Sequence, residues 1–151
     1  MKQERPAGDD RRCGGPVFHP HMSIALRPAV YRCMARFRLG CWALQVNIHR
    51  RGGGGSSRLP REQRQCRLCA ARGVQCVEDE LHVALECPTF ATLRGQYASL
   101  FGCMGSTLDL CTFLNQADTH RVAMFLHRLQ HAHANATAAA AALELMGGTS
   151  H

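Results

Sequence analysis

The sequence predicts a mainly α fold: a small zinc-stapled helical domain with a disordered N-terminal tail. Three observations lead there. Apolar residues recur at helical spacing in several separate segments. A strand-like alternation is found only at Leu44 to Ile48. The segment Cys66-Arg-Leu-Cys69, followed by His82 and Cys87, reads C-x2-C-x12-H-x4-C, a donor set suited to one tetrahedral zinc ion.

The elements follow in order. Residues 1–25 are rich in proline, glycine and charge and are expected to be a disordered basic tail. Residues 26–48 hold a helix that precedes the metal segment, from about Pro28 to Ala43. Val30, Met34, Phe37 and Cys41 form its apolar face. Residues 49–59 form a linker around Gly52-Gly-Gly-Gly55-Ser-Ser57. Residues 60–102 make the zinc-binding module. Within it a short helix spans about Asp79 to Glu86, with acidic residues in its first turn, where the helix dipole favours them. A second helix starts at Pro88 and places Phe90, Leu93, Tyr97, Leu100 and Phe101 on one stripe as far as Gly102. Residues 103–146 form a C-terminal helical region: a minor helix around Leu108 to Leu114, then a long helix. Asp118 is its expected N-cap, and Val122, Phe125, Leu126 and Leu129 its apolar face. Residues 147–151 are a tail.

Composition narrows the function. The chain has 151 residues, enough for one domain or one small domain with tails. Its nine cysteines are odd in number and no secretory signal is visible, so a metal site in a reducing compartment is expected over a disulfide framework. The expected location is intracellular, nuclear or cytoplasmic, and no apolar run approaches a membrane span. Residues 1–75 carry about +11 and the remainder about −4, and 17 of the 18 cationic residues are arginine. Arginine pairs bidentately with phosphate, so an arginine-rich half suggests RNA or DNA contact. A solvated basic tail, or codon bias toward arginine, is the plainer account of residues 1–25.

The metal segment has a mechanical logic. Two cysteines separated by two residues form a tight turn that aims both sulfurs at one point. His82 falls on the short helix. Cys87, five residues on, would lie about 140° around that helix. Pro88 resolves the conflict, because the residue before proline avoids helical geometry. Cys87 is therefore expected in the break between two helices, turned back toward the metal. Three thiolates and one imidazole close the site to substrate. Cys76, inside the loop, is an alternative to one ligand.

Taken together, the stretches Ala35-Arg-Phe-Arg-Leu-Gly40, Leu59 to Cys69, Val77-Glu-Asp-Glu-Leu-His82 and Glu86-Cys87-Pro88 resemble the zinc-binding region C-terminal to reverse transcriptase in non-LTR (LINE-type) retrotransposons. Phe90 to Arg94, Tyr97 to Gly102 and Phe113-Leu114-Asn115 extend the resemblance to roughly residues 31–130. The chain departs from that pattern in a longer interval between Cys69 and His82 and in the Gly52 to Ser57 run. It carries no paired-aspartate polymerase motif and no endonuclease signature. The resemblance implies a C-terminal fragment without catalytic residues of its own. It would grip RNA template or target DNA beside an upstream reverse transcriptase body.

Candidate residues follow from both readings. The metal ligands are Cys66, Cys69, His82 and Cys87. Phosphate contacts are assigned to Arg32, Arg36, Arg38, Arg50, Arg51, Arg61, Arg64, Arg67 and Arg72. Trp42 and Tyr31 are either stacking platforms for a base or core residues. The alternative function is a zinc-stabilised structural or protein-interaction module. A ββα finger fits the ligand spacing but lacks its core, since Gly73 and Asp79 stand where an aromatic and a leucine are needed. An enzyme is disfavoured. His127 and His131, four apart, are expected to be solvated, and no Ser/His/Asp arrangement or phosphate-binding glycine loop is present.

Overall fold

The computed structural model describes residues 25–51, 59–102 and 109–147, with Arg50, Arg51 and Gly147 described by their backbone alone. The architecture is mainly α, with no strand among the described residues and a single antiparallel bridge between Gln65 and Val77. The ββα hairpin therefore does not form there. The expected basic tail (residues 1–25, save Ala25) and most of the glycine-rich linker lie outside the described residues, as do Cys13, His19, His21 and Cys103.

Helix α1, Pro28–Arg38, begins with proline at its first turn, where the missing N–H is not needed. It ends earlier than the sequence pattern suggests. Gly40 takes φ +60°, its N–H bonds to Phe37 C=O, and the Cys41 N–H reaches Arg36 C=O. That pair of bonds is a Schellman stop, for which glycine is the natural residue. Val30, Met34 and Phe37 are buried as expected, whereas Cys41 lies past the helix. The segment read as a strand is also corrected: α2, Gln45–Arg51, is helical. Its alternation of Leu44, Val46 and Ile48 buries the first two and leaves Ile48 half exposed.

A 3-10 turn, Arg61–Gln63, and a four-residue α3, Arg67–Ala70, lead into the candidate metal loop, residues 71–79. The segment His82–Glu86 is wound as a π-helix, and a 3-10 turn, Pro88–Phe90, follows. The stripe expected on one helix is divided between α4, Ala91–Gln96, and α5, Ala98–Phe101, with the break at Tyr97. Phe90, Tyr97 and Leu100 are still buried. Helix α6, Leu110–Leu114, is capped by Asp109, whose carboxylate accepts from the Cys111 and Thr112 amides.

Helix α7, Thr119–Gly147, is the spine. Asp118 accepts the Arg121 N–H at 3.0 Å, as an N-cap should. Val122, Ala123, Phe125, Leu126 and Leu129 are buried, and α7 packs against α1 and α3. Phe125 sits at the centre of an aromatic group, with ring centroids 5.4 Å from Tyr97, 5.4 Å from Phe101 and 5.6 Å from Phe113. At the far end Leu143, Leu145 and Met146 are 70%, 79% and 76% exposed, so this part of α7 extends beyond the core.

Candidate metal centre

The four donors predicted from the sequence come together. Cys66, Cys69, His82 and Cys87 are all buried, and their ligand atoms lie within 4.8 Å of one another. Each is placed by a local device. Cys66 precedes α3 in extended conformation, and the amides of Cys69 and Ala70 bond back to its carbonyl. This turn brings both sulfurs to one side. Gly73, at φ +76°, closes the turn beyond α3. Asp79 accepts the His82 N–H at 2.9 Å and fixes the start of the π-helical segment. Cys87 sits at φ −53°, ψ 120°, outside helical geometry, as the following proline requires.

Distances within the cluster are short. Cys69 Sγ is 3.7 Å from Cys87 Sγ and 3.4 Å from His82 Nε2. The other imidazole nitrogen, Nδ1, lies 3.7 Å from a Glu86 carboxylate oxygen one helical turn on. A carboxylate on that side favours the tautomer that leaves Nε2 free to face the thiols. Arg94 donates to Cys87 C=O at 2.7 Å and holds the break closed. Sequence reasoning missed Arg94, because nothing local marks a bond across that corner.

The electrostatics are those of crowded acids. Hydrogen bonding to Cys87, and then burial, push the Cys66 thiol far up. Burial pushes Cys69 up to about 12. Cys87 is pulled down to about 3, first by the hydrogen bond from Cys66 and, against the cost of burial, by His82 and the Thr89 amide. His82 is raised chiefly by its bond to Cys87. One thiolate is thus favoured at the expense of its neighbours, and a cation at the centre would let all three ionise. Chemically, the arrangement can hold a metal ion.

A second buried pair was not foreseen. His133 Nε2 lies 2.8 Å from Glu78 Oε1, and Glu78 is 1% exposed. Glu78 also makes backbone bonds with Arg64 and Val46. It thereby joins the metal loop to α2 and to α7. His131 is exposed as expected, and His127 is half-buried.

The nine arginines divide. Arg32, Arg36, Arg67 and Arg72 extend to the surface, Arg36 while donating to Cys41 C=O. Arg38 and Arg64 are tied to the fold: Arg38 donates to Leu114 C=O, and Arg64 to Leu59 and Val46 C=O. Arg61 is exposed but pairs with Asp79. Arg38, Arg61 and Arg64 line one cavity of about 380 Å³, together with Glu80. The side chains of Arg50 and Arg51 lie outside the described residues. Trp42 is core: it is buried, donates its indole N–H to Cys33 C=O, and meets Phe37 edge-on at 4.7 Å. It offers no face to a base. Tyr31 is half-buried.

No disulfide joins the described cysteines, and no helix among the described residues is long and apolar enough to cross a membrane. The fold and the cluster define a class: a small mainly α domain folded around a buried three-cysteine, one-histidine group. Comparison with protein-family models, curated proteins and solved structures finds no match.

Proposed function

We propose that this chain is a zinc-bound nucleic-acid-binding module. It would be of the kind found C-terminal to reverse transcriptase in non-LTR retrotransposons, with no catalytic residues of its own. The geometry of the cluster carries the zinc part of this reading. Tetrahedral zinc, about 2.3 Å from sulfur and about 2.0 Å from nitrogen, separates two sulfurs by about 3.8 Å and sulfur from nitrogen by about 3.5 Å. The Cys69 distances of 3.7 Å to Cys87 and 3.4 Å to His82 match those edges. Four buried protein donors leave no open position, so the ion is structural. Soft thiolate donors favour zinc over the oxygen-loving calcium and magnesium.

The surface residues Arg32, Arg36, Arg67 and Arg72 support phosphate contact by an RNA or DNA strand. An upstream reverse transcriptase body would be the natural neighbour. The first test is zinc in chelator-washed protein and in Cys66→Ser and Cys87→Ser variants. One zinc per chain is expected, lost in both variants together with helical circular dichroism. Unchanged helicity without zinc in any of the three would overturn the reading.

A second reading, a structural or protein-interaction module, is favoured by one observation. The apolar side chains at the end of α7 are solvent-facing. A monodisperse, non-associating monomer would count against it.

A further inference from the structure

A fifth donor stands beside the four-donor cluster. Cys76 Sγ lies 3.4 Å from His82 Nε2, the same distance at which Cys69 Sγ stands from that nitrogen. It is also within hydrogen-bonding reach of the Cys69 sulfur. Cys76 therefore flanks the edge joining Cys69 to His82. Its position is built by the backbone. The Cys66 N–H donates to Cys76 C=O at 2.9 Å, and the neighbouring residues Gln65 and Val77 form the antiparallel bridge. At the other end of the loop, the Val74 N–H bonds to Cys69 C=O. The loop is thus anchored to both members of the first cysteine pair, and Cys76 itself is half-buried against the site.

We propose that Cys76 is a reserve ligand, able to take the vertex of His82 and convert the set from three sulfurs and one nitrogen to four sulfurs. This rests on the metal reading given above. The move is short. The sulfur must travel about the separation of the two donors, into the volume that a displaced imidazole leaves. No bond other than those to the metal and to the thiol proton is made or broken. The metal–nitrogen bond is exchanged for a metal–sulfur bond, and the Cys76 proton passes to solvent or to the released imidazole. The exchanged site carries one more negative charge. Metal would then be retained while His82 is free.

Cobalt(II) reports the outcome, because its charge-transfer absorption grows with the number of bound thiolates. Four reduced full-length chains would be titrated: wild type, Cys76→Ser, His82→Ala and His82→Ala/Cys76→Ser. Wild type and Cys76→Ser should each bind one cobalt with the three-sulfur spectrum. His82→Ala should keep its cobalt and gain sulfur absorption, and the double variant should release it to a chelator. Peptide-mapped alkylation gives a second readout: metal should shield Cys76 in His82→Ala and leave it reactive in wild type. Equal retention, or equal loss, in the single and double His82 variants overturns the reserve-ligand role. Failure of the wild type itself to bind cobalt overturns the metal reading as well, so the two failures are distinguishable.

Discussion

At the residue scale, the pair Glu78–His133 is the most consequential contact outside the metal cluster. Both side chains are buried, and one Glu78 oxygen, Oε2, has no hydrogen-bond partner among the described residues. A buried carboxylate left without its partner is costly. His133→Ala should destabilise the chain by about 3–5 kcal/mol, measured by chemical denaturation. Replacing both residues with leucine should cost far less, because no uncompensated polar group then remains. An equal loss in both variants would mean that packing, not pairing, holds the site. The two residues are 55 positions apart, and neither residue type announces the pairing.

At the element scale, the stop of α1 makes the sharper case. Gly40 is left-handed, and the bonds made by its own N–H and that of Cys41 end the helix. Gly40→Ala would force a side chain into that conformation and should cost about 1–2 kcal/mol, seen as a lowered Tm. No change would mean that the turn re-forms differently. The periodicity alone misplaced this end, because Cys41 falls in phase with Val30, Met34 and Phe37. Strong local signals were legible: proline at the start of α1, Asp118 before α7, and Pro88 after Cys87. The metal cluster was legible for the same reason, since its spacing and its proline break are local. Helix α2 was not. Leu44, Val46 and Ile48 alternate like a strand, and the bonds that place that segment come from Glu78 and Arg64, distant in sequence. The break at Tyr97 is likewise set by packing, around Phe125 and its ring neighbours.

At the scale of the whole molecule, the arginines predict two separable phenotypes. Arg32 and Arg36 reach the surface of α1; on the proposed nucleic-acid reading, glutamine there should reduce affinity and flatten its salt dependence. The slope against log salt should fall by about one for each arginine withdrawn from a phosphate. Arg38→Gln and Arg64→Gln should instead lower stability by about 1–3 kcal/mol, because these side chains brace backbone carbonyls of α6, α2 and Leu59. Binding isotherms at several salt concentrations, beside melting curves, tell the two apart. Trp42 has a further consequence. It is the single tryptophan of the chain, buried between Phe37 and the Cys33 carbonyl and outside the four-donor cluster. It is therefore a built-in fluorophore that reads the α1 side of the core. A red shift in its emission on chelation would show that the ion's influence extends to α1. Unshifted emission would show two regions that melt separately.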